Sequence, residues 1–364
     1  MGKITSILIL FISFLIILYL LRKQKVFQKI GIFFLIIISV IRWDIGNDYA
    51  NYYTGIKMYS AYFQRFDFFD VYLQNISYEP IHTLLIYLAK DFPSPPIVVL
   101  AIYSILTILL WYLTLQHYKA VFWGFFTIIF AGFLFLSWDQ VRQGLAIAIF
   151  LYSIKFIDRG CMFKYFLCVL LAFCAHYSAI ILVPFYFLRY ITFPKWTIIA
   201  IIFVLFAGFI TGVWSKFFLS VFQLMDKYAA YALTKMDTQE FSSGLGLLAR
   251  LIIYTTVILL GYKDYRIVSN IVFAGLCIYL FSCSNELIER LSNYGMAAII
   301  ILFPLIIKGT KFSTKLSDCI RCSLIFLLIV IGTYNASKGV SGCIPYDTVF
   351  SHNYEIKRFR IRNY

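Results

Sequence analysis

Charged residues are scarce in this chain: they make up 13% of its 364 residues, whereas hydrophobic residues make up 62%. A soluble domain of this length could not bury so much apolar surface. The sequence also lacks a glycine-rich phosphate loop, a zinc-ligand spacing and a signal-peptide cleavage site. These absences argue against a soluble nucleotide-binding or zinc enzyme. Because no signal-peptide cleavage site follows the first apolar run, Ile4–Leu21, we interpret this run as a membrane span that is retained.

Acidic residues are the scarcer of the two charge types, with 17 Asp and Glu against 32 Lys and Arg, which gives a formal net charge of +15. Much of the basic excess lies in short loops and in the C-terminal tail, where Lys and Arg set the orientation of a membrane protein. We therefore do not expect a nucleic-acid partner. The eight cysteines do not form a pattern that predicts a disulfide framework.

Long apolar runs are what the sequence has in abundance. Several approach or exceed the roughly 18 to 20 residues that a helix needs to cross a bilayer. Examples are Ile4–Leu21, Ile97–Leu115, Ala120–Trp138 and Trp196–Leu219. They predict an all-α polytopic membrane protein of about 10–12 transmembrane helices, folded as a single membrane domain over residues 1–364.

The distribution of basic residues predicts which side each loop faces. The segment Arg22–Lys25 should be cytoplasmic, so the loop that follows Ile30–Ile41 is external. Counting the short run Ile81–Phe92 as a crossing would place the basic loop Lys155–Lys164 outside. Treating Ile81–Phe92 as a re-entrant or interfacial helix removes this conflict.

A second conflict disappears if Lys164–Tyr190 is a pair of short helices that turn at Ala175–Ser178 rather than one span. The hairpin places His176 at its external tip. The main external segments are then a large loop with an interfacial helix (residues 42–96), a second loop (residues 216–244) and the basic C-terminal tail (residues 336–364). Loops of this length are more often functional than not.

Four arginines lie near the external ends of different predicted helices: Arg42, Arg142, Arg250 and Arg290. Arg250 lies about six residues into its helix, which is roughly 9 Å along the axis. An ionisable residue at that depth is costly, so we expect it to face the interior of the bundle with a partner.

Spacing within single helices groups some of these arginines with polar neighbours. Asp139, Arg142 and Gln143 fall at i, i+3 and i+4, and Glu286, Arg290 and Tyr294 follow one another at intervals of four, so each set should share one helix face. One interpretation is that these are ion pairs that only help arginines insert. The other is that four arginines meet at one side of the membrane.

A cluster of arginines at the membrane surface would suit a lipid pyrophosphate, because the planar guanidinium matches phosphate oxygens and keeps its charge. External tyrosines such as Tyr49 and Tyr52 fit an interfacial belt, and sugars also dock on aromatic faces. Attack by a sugar hydroxyl needs a proton acceptor. The candidates for this general base are Asp48, Glu79 and His176, with His82 as a minor one.

The stretches "RWDIGNDYANYY", "YEPIHTLLIYL", "DQVRQGLAIAIFLYSI", "HYSAIILVPFYFL" and "ERLSNY" follow one another in an order that resembles the EpsG-like branch of bacterial Wzy polymerases. The positions that carry the resemblance are Arg42, Gly46, Asp48, Tyr52, Glu79, Pro80, Arg142, Gln143, His176, Ser178, Glu289, Arg290 and Tyr294.

This resemblance implies an inner-membrane glycosyltransferase whose active site faces the periplasm or the outside. Such an enzyme moves a growing glycan from undecaprenyl pyrophosphate onto an incoming lipid-linked repeat unit. It implies partners as well: the lipid-linked oligosaccharide, membrane lipid, a chain-length-determining co-polymerase and a flippase. Arginine would neutralise the leaving group in place of a metal, so we expect no cofactor and no metal.

Three other functions are compatible with the sequence. An O-antigen ligase would share the arginine-rich external face and the carrier lipid. A flippase or transporter for the same oligosaccharides would line a central path with polar residues at several depths, whereas the charges here gather toward one face. A regulatory membrane protein without chemistry would leave the cost of embedding Arg250 unexplained.

Overall fold

A computed structural model of the protein describes residues 3–74, 78–223, 244–282, 286–309, 315–338, 342 and 346–351. Helix dominates this part of the chain. The α-helices are Lys3–Leu21 (α1), Lys25–Val40 (α2), Tyr49–Phe63 (α3), Phe68–Gln74 (α4), Pro80–Ala89 (α5), Pro95–His117 (α6), Val121–Phe130 (α7), Phe133–Asp139 (α8), Val141–Asp158 (α9), Met162–Ala175 (α10), Lys195–Ile210 (α11), Val213–Gln223 (α12), Gly244–Gly261 (α13), Arg266–Ser282 (α14), Glu286–Met296 (α15), Ile299–Lys308 (α16) and Lys315–Lys338 (α17).

Short elements of other kinds complete the described residues. A 3-10 helix spans Tyr177–Tyr190 and another spans Val349–Ser351. Two strands of two residues each, Arg42–Trp43 (β1) and Asp347–Thr348 (β2), pair antiparallel. Within the described residues, this pair is the one regular element other than helix, and the all-α prediction did not include it.

The helices are those of a multi-pass membrane protein. By length and composition, three described helical segments can cross a bilayer: Pro95–His117, Ile288–Lys308 and Asp318–Asn335. The pair α7 and α8, bent by 61°, adds a fourth if it counts as one span. Seven further apolar helices are shorter. The expected total of about 10–12 spans and the interfacial position of α5 stay predictions.

Large apolar side chains on the outer surface agree with a lipid environment. Phe163 is 81% exposed, Phe203 69% and Phe326 65%. In water such side chains would be an aggregation liability on a protein of this size. Against acyl chains they need no cover, because lipid is as apolar as the side chains themselves.

The described residues divide into two compact units. The first unit comprises Met1–Ser153, Phe163–Ile180 and Leu328–Tyr364. Helix α6 supplies much of its interior, with Tyr103, Trp111 and Leu115 all buried. Prolines at the first turns of α5 and α6 suit those positions, because a helix N-terminus leaves backbone N–H groups unbonded in any case.

The second unit comprises Ile154–Met162 and Ile181–Leu327. Its closest helix packing joins α14 and α15, where two glycines face each other. A Cβ atom on Gly275 would lie 2.3 Å from the backbone nitrogen of Met296, and one on Gly295 would lie 2.6 Å from the Cα of Gly275. Small residues of this kind let two helix backbones approach closely inside a membrane.

The chain turns back at His176, as the hairpin hypothesis requires. Helix α10 ends at Ala175 and the 3-10 helix begins at Tyr177. The hydroxyl of Tyr186, late in the 3-10 helix, donates a 3.1 Å hydrogen bond to the carbonyl of Gly160, which precedes α10. The chain therefore returns to Gly160 after the break at His176.

Two sequence predictions about single helices are wrong. The run Ala120–Trp138 is not one straight helix, since α7 ends at Phe130 and α8 begins at Phe133. Trp196–Leu219 is likewise broken between α11 and α12. Both breaks fall at a glycine with positive φ, namely Gly132 (φ +84°) and Gly212 (φ +69°), which ends a helix although the apolar pattern continues.

Predicted external segments are described only in part. Residues 224–243 of the second loop and most of the tail, including 352–364, lie outside the described residues. The first loop is described except for residues 75–77, and it contains α3, α4 and α5. The prediction of one membrane domain over the whole chain stays a prediction.

Candidate functional site

Glu79 lies at the centre of a buried polar cluster in the first unit. Its position just before Pro80 favours extended backbone, and it caps the N-terminus of α5 in that conformation (φ −65°, ψ 145°). The side chain is only 3% exposed. One carboxylate oxygen, Oε2, accepts a hydrogen bond from Nη1 of Arg142, and the other, Oε1, lies 2.7 Å from Nδ1 of His176. We call Glu79, Arg142 and His176 the Glu79 cluster.

The cluster keeps Glu79 ionised. Burial alone would raise the pKa of this carboxyl, but the hydrogen bond with His176 and the charge of Arg142 outweigh burial and lower the pKa to about 2. A carboxylate with such a low pKa is a poor proton acceptor at neutral pH. Its geometry suits a different task, which is to hold the arginine and the histidine in fixed positions.

His176 occupies the tip of the hairpin between α10 and the 3-10 helix. Because an ionised carboxylate only accepts hydrogen bonds, Nδ1 of His176 must carry the proton that it shares with Glu79. In the neutral ring Nε2 then carries the lone pair. The next residue, Tyr177, donates its hydroxyl to the carbonyl of Tyr78 at 3.1 Å, which fixes the tip beside Glu79.

Arg142 is the second residue of α9. Its guanidinium carbon lies 5.3 Å from the ring centre of Tyr52 and 5.7 Å from that of Tyr78, within the range of cation–π attraction. The side chain remains 22% exposed. Its Nε is buried and has no hydrogen-bond partner among the described residues. Arg142 thus retains a donor that Glu79 does not use.

Helix α6 contributes two adjacent polar residues, Tyr103 and Ser104, which contact His82 and Arg42. Nδ1 of His82 lies 3.2 Å from the hydroxyl of Tyr103. The adjacent residue, Ser104, accepts a 2.6 Å hydrogen bond from Nη1 of Arg42. His82 also lies edge-on to Tyr52, with ring centres 6.2 Å apart. The sequence offered His82 only as a minor base candidate, and no local signal marked Tyr103 or Ser104.

Arg42 is an interior residue, 2% exposed. Besides Ser104, its Nη1 reaches the carbonyl of Ser39, and its guanidinium carbon lies 6.0 Å from the ring centre of Trp138. The predicted site residue Tyr49 is also buried and packs edge-on against Trp43. These contacts show that Arg42 and Tyr49 help to hold the first loop in place.

Asp48 is half-buried at the start of α3, and its backbone N–H donates to Oδ1 of Asp139 at 3.0 Å. The expectation that Asp139 shares a helix face with Arg142 and Gln143 is wrong, because α8 ends at Asp139 and α9 begins at Val141. Asp139 instead anchors the first loop just before Arg142. Gln143 is buried, 2% exposed, on α9.

The C-terminal segment also contacts the first loop, and the sequence did not predict this contact. Strand β2 pairs with β1 so that Thr348 faces Arg42, and the N–H of Val349 donates to the carbonyl of Ile41 at 2.9 Å. The hydroxyl of Tyr346 donates to the carbonyl of Ile38. The C-terminal segment therefore hydrogen-bonds both to the end of α2 and to the start of the first loop.

The other predicted arginines belong to the second unit. Arg250 has the partners expected for an embedded arginine: its Nη1 lies 3.2 Å from the hydroxyl of Tyr279 and 3.7 Å from Oε1 of Glu289. Arg290 and Tyr294 lie on α15, as the spacing predicted, and Tyr294 is fully buried. Convergence of all four arginines on one site stays a prediction.

Metal ligation has no obvious place in the described residues, which contain no group of three or more His, Cys, Asp or Glu side chains suited to an ion. The Glu79 cluster combines one carboxylate with one imidazole and a guanidinium. Such a set can hold an anion beside a proton acceptor.

Comparison with known proteins gives one match. The family model for the EpsG family matches residues 25–348, a range that includes the Glu79 cluster and ends in β2. No curated protein and no solved structure matches the chain. The family is associated with Wzy-like polymerases and points to a polysaccharide-polymerase-like membrane protein of the glycosyltransferase kind. The chain belongs to the EpsG family.

Proposed function

We propose that this protein polymerises O-antigen or exopolysaccharide repeat units at the outer face of the bacterial inner membrane. The observation that carries the proposal is the bridging of Arg142 and His176 by one buried carboxylate, Glu79. The bridge places a candidate anion-binding group and a candidate base on opposite oxygens of the same side chain. A transfer from a pyrophosphate leaving group needs both.

In the proposed reaction an acceptor sugar hydroxyl attacks the anomeric carbon of the glycan held on undecaprenyl pyrophosphate. The new glycosidic bond forms as the bond between the anomeric carbon and the phosphate oxygen breaks, and the lipid pyrophosphate leaves with the electron pair. Nε2 of His176 takes the hydroxyl proton. Glu79 keeps the imidazole in the tautomer that exposes this lone pair.

Arg142 would stabilise the negative charge that develops on the departing pyrophosphate. The Arg142 side chain is 22% exposed, which leaves part of the guanidinium open to phosphate oxygens, and the rings of Tyr52 and Tyr78 hold its plane. Among the three base candidates, His176 fits best. Glu79 has a pKa of about 2, and its two oxygens already bind Arg142 and His176.

The proposal includes a membrane arrangement. The chain would cross the inner membrane about 10–12 times with α5 re-entrant or interfacial, so that the Glu79 cluster faces the periplasm. Arginine would supply the positive charge without a metal. The partners would be the lipid-linked oligosaccharide, a chain-length-determining co-polymerase and a flippase.

Replacing Arg142 with lysine tests the proposal directly. Lysine keeps the charge but presents a point ammonium instead of a planar fork, so we expect at least about a hundredfold slower polymerisation at unchanged abundance. The assay incubates purified protein with a lipid-linked repeat unit and follows the glycan ladder on a gel. Arg65→Lys is the matched control, since Arg65 is an exposed arginine in the first loop, away from the Glu79 cluster.

A full ladder from the Arg142→Lys protein would remove Arg142 from the reaction. Loss of the gene provides a separate test of the reaction class. A polymerase mutant retains surface lipopolysaccharide with a single repeat unit, whereas a mutant lacking the ligase or the flippase retains none. The second result would replace polymerisation with one of those two activities.

A further inference from the structure

The turn at the C-terminal end of the 3-10 helix Tyr177–Tyr190 lies in the second unit, where side chains from α14 hydrogen-bond to it. Nδ2 of Asn270 donates to the carbonyls of Leu188 and Ile191, each at 2.9 Å. Nη2 of Arg266 donates to the carbonyl of Arg189 at 3.1 Å. We call Leu188–Ile191 the Arg189 turn. These hydrogen bonds from α14 hold the backbone of the turn in place, and with it the point from which the Arg189 side chain extends.

Three neighbours fix the orientation of the Arg189 guanidinium. Its carbon lies 5.7 Å from the ring centre of Tyr186 and 5.2 Å from that of Tyr190. Nη1 donates to the Tyr186 hydroxyl at 3.2 Å, and that hydroxyl donates to the carbonyl of Gly160. The absence of a side chain at Gly160 leaves the room, since a Cβ there would lie 2.7 Å from Nη1.

No acidic side chain neutralises this arginine within the described part of the chain. Neither Arg189 nor Arg266 forms an ion pair there. The exposed cations of the surrounding loops, Arg159, Lys195 and Lys263, outnumber the exposed acids there, Asp158 and Asp264. A half-buried arginine that is held in one orientation and lacks a counter-charge is typical of a site for an anion.

The surroundings of the turn indicate which anion. Trp196 is 71% exposed and Tyr190 68% exposed. Exposed tryptophan and tyrosine beside apolar helices mark the level of the lipid headgroups. We propose that the Arg189 turn binds the phosphate of an anionic phospholipid headgroup, with Arg189 as the oriented donor and Arg266 as a second cation. Basic pockets at this level bind such headgroups in other membrane proteins.

Native mass spectrometry of the full-length protein in detergent tests the proposal, with phosphatidylglycerol and phosphatidylcholine as probes. The unmodified protein should retain phosphatidylglycerol in preference to phosphatidylcholine. Arg189→Ala should lower the retained phosphatidylglycerol at least about tenfold, because charge-assisted hydrogen bonds are lost. Lys263→Ala removes the same charge from an exposed site nearby and should leave the preference intact.

Two substitutions that keep the net charge separate an oriented site from diffuse attraction. Gly160→Ala displaces the guanidinium, and Tyr186→Phe removes its hydroxyl partner, so both should weaken the preference. An unchanged preference in both variants would overturn the proposal, as would an equal loss in Lys263→Ala. Displacement of phosphatidylglycerol by inorganic phosphate at millimolar concentration would overturn the lipid assignment in favour of free phosphate.

Discussion

Replacing Glu79 with glutamine removes the charge that Arg142 and His176 share and keeps nearly the same shape. A glutamine side chain has one oxygen and one NH2 group, so it accepts from only one of the two former donors. If the oxygen stays with Arg142, the NH2 group faces Nδ1 of His176. That ring nitrogen must then accept, and the proton moves to Nε2, where the proposed base needs a lone pair.

The size of the effect follows from the ionisation of Glu79. The interactions of the cluster lower its pKa from 4.5 to about 2. This shift corresponds to about 3 kcal/mol in favour of the carboxylate in its present contacts. If the reaction depends on those contacts, their loss should slow polymerisation about a hundredfold. Burial of Glu79, 3% exposed, leaves little solvent to screen the change.

The measurement compares initial rates of ladder formation by purified Glu79→Gln and unmodified protein at equal concentration. Asp91→Asn is the matched control, because Asp91 is 74% exposed and pairs only with its neighbour Lys90 among the described residues. Exposed pairs of this kind contribute little, so the control should keep its rate. A Glu79→Gln protein with an undiminished rate would show that the bridge plays no part in the chemistry.

Two further predictions concern stability and the C-terminal strand. Since the folded-state pKa of Glu79 is depressed, its contribution to stability is present above pH 4.5 and is lost as the pH falls toward about 2. Thermal unfolding in detergent should show a gap between unmodified and Glu79→Gln protein at pH 5 that closes as the pH falls toward 2. Val349→Pro removes the N–H that donates to the Ile41 carbonyl and should lower the polymerisation rate several-fold. The control is Phe350→Ala, which changes an 82% exposed side chain and should keep its rate. Equal rates in the two variants would show that polymerisation does not need the pairing of β2 with β1.

The sequence predicted the helical membrane fold because long apolar runs leave a chain few alternatives. It placed α6 to within two residues at each end, over Ile97–Leu115 against the observed Pro95–His117. The hairpin at His176 followed from the positions of basic loops. The breaks at Gly132 and Gly212 did not, because an apolar run looks the same whether its helix is straight or interrupted.

The members of the Glu79 cluster could be named from the sequence, but not their contacts. Glu79 lies 63 residues from Arg142 and 97 from His176, and no local period links positions so far apart. Their meeting depends on the packing of α5, α9 and the hairpin. The roles changed accordingly: the proposed base is His176, with Glu79 as the group that orients it.

Arg42 and Arg142 carry the same charge but are held differently, and this difference yields a prediction. Arg42 is 2% exposed, and its hydrogen bonds go to the Ser39 carbonyl and the Ser104 hydroxyl, so its replacement should disturb folding. Arg42→Lys should cost about 1.5–3 kcal/mol of stability through lost charge-assisted bonds. Abundance in the membrane should fall, while the rate per folded molecule stays near normal.

Arg142→Lys should give the reverse, normal abundance with a much lower rate per molecule. The pair is measured by normalising ladder formation to the folded fraction seen in size-exclusion chromatography of a fluorescent fusion. The comparison is informative because both changes conserve charge, so a difference must come from what each guanidinium contacts. If Arg42→Lys kept full abundance and lost its rate, Arg42 would belong with the phosphate-binding groups, and its burial would have to be relieved when substrate binds.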